Sequence, residues 1–294
     1  MATDSDSSAT NNGESSSIKT MKLYTNVERI KNELTSRGML KENEPIDPIV
    51  LSEIDSMHYM GNSAIEDAAA TMKLDASSTV LDIGSGFGGP ARVLSYMSKC
   101  TTTALEIQPD IHEMAGCLTK KCQLDNLVKH EVGDILALDL DELGGGRSSF
   151  DGIVSFLVFL HIPDKKSLLE NCFKMLKPGG LFFVDDYYCR SPFTDAETKA
   201  LADDVYAKEL PTKEEYISHL DASGFRNIQF IDKSSEWTAF VTERLEKFKN
   251  NRPNFERVHG EPTYLSLLHF YSSVAGLFLG RNLGGVQIIA EKKY

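Results

Sequence analysis

The chain has 294 residues, 41% hydrophobic and 25% charged, proportions of an ordinary folded protein with room for one large domain or one domain and an appended lobe. Its 43 acidic against 31 basic side chains give a formal charge of −12, and such a surface repels phosphate backbones and excludes nucleic acid as an expected partner. There is no run of about 18 apolar residues to span a membrane, and no His/Cys/Asp cluster has metal-ligand spacing, so no metal is expected.

The first 17 residues are rich in Ser, Asn, Thr and Asp and contain no apolar stretch. They read as a disordered tail, not as a secretory or transit signal. Cys100, Cys117, Cys122, Cys172 and Cys189 are odd in number and lack C-x-x-C spacing, which fits reduced thiols in a cytoplasmic protein. Short helices are expected at Asn26–Leu34 and Pro48–Met57, and a longer one at Asn62–Met72 capped by Asn62 or Ser63. With the tail set aside, residues 18–75 form a helical cover and residues 76–294 the main domain.

At Thr79 the period changes. Thr79–Ile83 is a β-branched, apolar run suited to a buried parallel strand, and it enters Gly84-Ser85-Gly86-Phe87-Gly88-Gly89 and then a helix over Pro90–Ser98. Strand and helix then alternate: Thr101–Leu105, Asp110–Cys122, Leu127–Val132, Phe150–Phe156, Asp164–Leu176. The last helix is stopped by Lys177-Pro178-Gly179-Gly180, and Leu181–Val184 is the next strand. Helices follow at Thr194–Glu209 and Thr212–Ser223, a strand at Phe225–Asp232, helices at Ser235–Asn250 and Thr263–Gly280, and a final strand at Val286–Glu291. The alternation predicts an α/β fold, a Rossmann-like and mostly parallel seven-stranded sheet with helices on both faces. Residues 191–224 and 234–281 supply a helical acceptor lobe above the sheet edge.

A glycine-rich turn between the first strand and its helix lets the backbone approach a ligand where a side chain would clash. Glu106 ends the second strand 22 residues after Gly84, where a carboxylate can accept from both hydroxyls of a ribose. Asp134 closes the third strand, where an acid can accept from an adenine amino group.

Five segments in order carry a family resemblance: V-L-D-I-G-S-G-F-G-G at 80–89, A-L-E-I at 104–107, V-G-D-I at 132–135, F-D-G-I-V-S at 150–155 and L-K-P-G-G at 176–180. Together they resemble the class I S-adenosylmethionine-dependent methyltransferases over roughly Ser63–Asp186. The segments M-H-Y-M-G at 57–61, G-F-G-G-P-A-R at 86–92 and F-L-H-I-P-D at 159–164 are similar to the small-molecule branch, which includes sarcosine/dimethylglycine and phosphoethanolamine N-methyltransferases. The resemblance implies S-adenosylmethionine as cofactor, with Gly84 and Gly86 beside its methionyl part, Asp82 ordering that turn, and Ile107 and Ile135 enclosing the adenine. It also implies that Tyr59 and Gly61 touch the methionine end and that Phe156, Leu157 and His161 face the methyl-transfer channel.

Methyl transfer from a sulfonium asks mainly for alignment of donor, methyl and nucleophile. A protonated amine is not a nucleophile, so nitrogen methylation needs the free base, whereas a thioether needs no base. His161 is the candidate base, with a structural role capping the next helix as its alternative. Asp186 and Tyr187 could surround an ammonium, Arg190 could fork onto an acceptor carboxylate or pair with an acid such as Asp195, and Trp237 could wall the acceptor pocket. Phe270, Tyr271 and Phe278 read as core. The expected acceptor is a small polar amine or amino acid of the glycine, sarcosine and dimethylglycine kind. The alternatives are a thioether acid, a non-catalytic cofactor-binding subunit and a nicotinamide oxidoreductase. No membrane partner is expected, and a homodimer is the one assembly left open.

Overall fold

The computed structural model describes residues 26–41 and 44–293; the expected tail lies outside them. Three helices come first, α1 (Val27–Ser36), α2 (Pro48–Asp55) and α3 (Asn62–Met72). Asn26 and Asp47 cap the first two by accepting from Glu28 N–H and Ile49 N–H. The cap of α3 is Gly61, at φ 55, with no side-chain bond. This corrects the expectation of Asn62 or Ser63: Ser63 Oγ is spent on the Met60 carbonyl at 2.7 Å.

The sheet strands are β1 (Thr79–Ile83), β2 (Thr101–Glu106), β3 (Val128–Val132), β4 (Phe150–Phe156), β5 (Leu176–Cys189), β6 (Arg226–Asp232) and β7 (Leu283–Glu291). Their order is β3-β2-β1-β4-β5-β7-β6, with β7 antiparallel to both neighbours. Between them run α4 (Gly89–Ser98), α5 (Pro109–Lys121), α6 (Lys165–Met175), α7 (Asp195–Asp203), α8 (Lys213–Ala222), α9 (Ser234–Asn250), α10 (Arg252–His259) and α11 (Glu261–Leu279). One face of the sheet packs Leu81, Ile153, Phe182 and Ile288 against Leu168, Cys172 and Tyr216 of α6 and α8. The other face packs Val80, Val154 and Phe183 against Ile65, Ala68, Val93 and Leu94 of α3 and α4. A separate apolar cluster joins Tyr59 and Tyr187 to Trp237, Val274 and Phe278.

The sequence expectation differs most in four elements. The helix after Thr194 ends at Asp203, not Glu209, and Tyr206 takes φ 61. β5 is not confined to Leu181–Val184 but runs from Leu176 to Cys189, paired with β7 from Leu181 onward. β7 accordingly begins at Leu283. An extra helix, α10, fills the interval expected to be a connection.

The cover is tied to the sheet by one buried ion pair. Arg92 of α4 contacts Asp55 at the end of α2, and both side chains are essentially inaccessible. Arg92 Nη1 also donates to Thr119 Oγ1 at 3.1 Å, and Thr119 Oγ1 meets His130 Nε2 at 2.8 Å. Burial pushes the His130 imidazole down to about 3, so it stays neutral beside the guanidinium. Removing one member of such a pair strands the other charge. Asp55→Ala is therefore expected to destabilise the fold by about 3–5 kcal/mol in denaturant unfolding, and a loss below about 1 kcal/mol would show that Arg92 is compensated elsewhere.

Candidate functional site

Two cavities open at the carboxyl ends of the parallel strands, where open α/β sheets bind their ligands. The first, about 300 Å³, lies against the ends of β1, β2 and β4 and the segment after β3. Gly84 and Gly86 form its edge at φ 72 and 54. A Cβ on Gly84 would lie 2.4 Å from Val158, so only glycine lets the turn pass under the loop after β4. Nothing within 4 Å would oppose a Cβ on Gly86, which faces open cavity.

Glu106 lies at the cavity wall and its carboxylate is clasped by main chain. Its Oε2 accepts from Gly86 N–H and its Oε1 from Gln108 N–H, both at 2.9 Å. Burial raises its carboxyl against those lowering bonds. Each oxygen still has a second lone pair for a ligand hydroxyl. Ile107, Asp134 and Ile135 line the same cavity, with Phe156 and Leu157 across it. Asp134 Oδ1 accepts from Leu136 N–H at 3.0 Å, which fixes that turn. Carboxylates at the wall between apolar Ile107 and Ile135 match a nucleoside: hydroxyls and an amino group to receive, a ring to enclose. The residues present fit S-adenosylmethionine on this ground.

Asp82 lines neither cavity. It is buried under the turn, with Oδ2 lacking a hydrogen-bond partner among the described residues.

The second cavity, about 280 Å³, shares Met57, Leu157 and His161 with the first. Leu157 takes φ 58, an uncommon conformation for a leucine that turns the chain between the two spaces. Tyr59 and Gly61 line this second cavity, not the first, as do Tyr187, Phe240, Arg244, Phe270 and Tyr271. The Tyr59 and Tyr187 hydroxyls are in direct contact. His161 Nδ1 lies 3.3 Å from the Tyr206 carbonyl, so Nδ1 carries the proton toward that oxygen and Nε2 keeps the lone pair. Burial pushes its imidazole down to about 4. It does not cap α6; Asp164 does, accepting from Ser167 N–H.

Three expected substrate residues line neither cavity. Asp186 is fully buried, accepting from Leu160 N–H at 2.8 Å and from the Tyr216 hydroxyl at 3.0 Å. On an extended β5 it points to the face opposite Tyr187. Arg190 lies 3.8 Å from Asp232, not Asp195, because the longer β5 brings it beside β6. Trp237 is 1% exposed and sits behind the wall, edge-on to Tyr59 at 5.2 Å. Phe270 and Tyr271 pack in the apolar cluster as expected and also line this cavity, and Arg244 is a lining residue the sequence reading did not single out. Its signal is an arginine on the stripe Trp237, Phe240, Val241, Arg244 of α9, a face otherwise apolar.

The unpartnered Asp82 generates a pH prediction. Burial, then the Glu106 charge, pushes its carboxyl up to about 7 from 3.8. A raised acid favours the folded state fully below the unfolded value and loses that contribution as pH climbs to about 7. Asp82→Asn is expected to gain stability relative to the parent as pH rises from about 4 to 7; a pH-independent difference in melting temperature would rule this out.

Residues 81–184 match the model of the "Methyltransferase domain" family. The chain is 29% identical over 213 residues to the phosphoethanolamine N-methyltransferase of Plasmodium falciparum, covering 70% of this chain and 76% of that enzyme. It superposes on Haemonchus contortus phosphoethanolamine N-methyltransferase 2, bound to phosphomonomethylethanolamine and S-adenosylhomocysteine, with TM-score 0.72 and 19% identity. That match covers 80% of this chain but spans only 53% of the Haemonchus one. A Galdieria sulphuraria protein described as a candidate sarcosine dimethylglycine methyltransferase is similar over 90% of this chain and 98% of its own, with TM-score 0.71 and 16% identity. Among the described residues no helix is long and apolar enough to cross a membrane, and no group of three His, Cys, Asp or Glu could hold a metal. A seven-stranded Rossmann-like sheet, a glycine turn clasped by Glu106 and this family match identify residues 81–184 as a methyltransferase domain.

Proposed function

We propose that the chain methylates the nitrogen of a small polar amine, with glycine, sarcosine and dimethylglycine as the series to test first. The observation that carries this reading is the pair of cavities meeting at Leu157 and His161. One suits the cofactor, and the other is small, ringed by aromatic side chains and closed by the cover residues Tyr59 and Gly61. Sequence similarity to phosphoethanolamine N-methyltransferase supports a nitrogen acceptor.

The cofactor supplies an activated methyl group when bound. Glu106 would hold its ribose, Asp134 its adenine amino group, and Ile107 and Ile135 the ring faces. Gly84 and Gly86 would pass beside its methionyl part, in a turn held by Glu106 with Asp82 buried beneath it. Phe156 and Leu157 wall the space in which donor and acceptor must align. His161 stands on both cavities with its Nε2 lone pair available, the position from which a base would receive the proton an ammonium loses before nitrogen attacks. The burial that keeps it neutral also weakens it as a base. Tyr187 would present an aromatic face to the amine.

Purified protein incubated with methyl-labelled S-adenosylmethionine and a panel of glycine, sarcosine, dimethylglycine, phosphoethanolamine and a thioether acid is expected to label an amine. Label on the thioether alone would overturn the nitrogen reading. Glu106→Ala should weaken S-adenosylhomocysteine binding by roughly 1–3 kcal/mol in calorimetry, and an unchanged affinity would remove it from the ribose. For His161→Ala, turnover should fall about 100-fold with cofactor affinity intact; undiminished turnover would exclude it as the base.

A further inference from the structure

Arg244 reaches the second cavity from the middle of α9. Its Nε is buried with no hydrogen-bond partner, and no carboxylate among the described residues lies within ion-pair distance of its guanidinium. It is surrounded instead by rings: its Cζ lies 4.6 Å from the centre of Tyr271, 4.9 Å from Tyr59 and 5.6 Å from Phe240. The charged and titratable groups on the elements packed around it do not neutralise it. Tyr59, Tyr187 and Tyr271 are phenols. His58 and His161 are held toward their neutral forms by burial. Glu53, at the cavity rim, is engaged by Arg37 at 3.1 Å. Arg29, a second cation nearby, sits against Met57 Sδ at 3.4 Å and is not part of the wall.

A guanidinium is always charged, and withdrawing one from water without a counter-charge is costly. Aromatic faces and a hydrogen bond to the Tyr59 hydroxyl offset part of that cost, but they supply no counter-charge, and its Nε–H has no partner. We infer that Arg244 is the anion-binding residue of the acceptor cavity and that its ligand is the carboxylate of the acceptor, which makes that acceptor an amino acid. A carboxylate brings one negative charge and a planar pair of oxygens to one planar fork. A phosphate dianion would bring about two charges to a cavity with a single cation in its wall, leaving one charge buried among phenols and neutral imidazoles. The anion would be gripped from α9 while the amine lies toward Leu157 and His161, so recognition and transfer occupy opposite parts of one space.

This inference rests on the assignment of the second cavity to the acceptor, and its test does not depend on which atom is methylated. Acetate is titrated into the protein saturated with S-adenosylhomocysteine. The readout is the fluorescence of Trp237, the only tryptophan, which packs edge-on against the Tyr59 ring under Arg244. Acetate should bind, and bind more tightly than inorganic phosphate at the same pH. Arg244→Met should weaken acetate at least 10-fold while S-adenosylhomocysteine affinity changes less than twofold, and Arg244→Lys should restore part of the loss. Equal acetate affinity in Arg244→Met, no acetate binding to the parent protein, or preference for phosphate would each overturn the inference. The parent measurement alone decides if Arg244→Met does not fold. Acetate held through Arg244 in a protein that labels no amine would sink the nitrogen reading and leave the anion site standing. Amines without an acid group methylated as well as amino acids, with acetate unbound, would do the reverse.

Discussion

The site depends on where the segment after β4 lies, and that is set by a buried carboxylate. Asp186 accepts from Leu160 N–H and from the Tyr216 hydroxyl, while Lys165 donates to the carbonyls of Phe159 and Ile162. Side chains from β5 and α6 thus supply the hydrogen bonds that an irregular buried backbone would otherwise lack. The pinned segment carries Leu157 and His161, the wall common to both cavities. Asp186, expected to meet substrate, instead fixes the residues that wall both cavities.

The same division of labour runs through the first cavity. Glu106 clasps Gly86 and Gln108 through main-chain N–H groups, so the glycine turn and the end of β2 hold one another in place before any ligand arrives. Pre-organised groups of this kind need little rearrangement when a partner binds. Asp82 and Glu106 are both buried acids whose carboxyls are raised by their surroundings. Crowding two acids at one turn is a local cost in stability, tolerated where a ligand with many donors is received.

The second cavity is built differently. Its wall is drawn from α2, the segment before α3, β5, α9 and α11, parts far apart in the chain. Aromatic contacts dominate, with Tyr59 touching Trp237, Phe240 and Phe278 at centroid distances of 5.2, 5.4 and 6.3 Å. Apolar rings fix shape and exclude water, so the few polar groups among them decide what is recognised.

The sequence by itself determined the parallel core: the β-branched runs, the glycine turn and the acids ending β2 and β3 are local signals, because a buried strand and a tight turn each impose a pattern within a few residues. Glu106 and Asp134 were legible as strand-end acids, and the family resemblance added Ile107, Ile135 and His161; all of them line the first cavity. Tertiary structure decided the rest. β5 runs on through Asp185 and Asp186 because β7, Gln287 and Tyr216 satisfy acids that look like the end of a strand. That extension turned Asp186 inward and carried Arg190 to Asp232. Arg244, Phe240 and Tyr271 meet Tyr59 only when α9 and α11 fold back over the cover, a long-range contact for which helical periodicity holds no information.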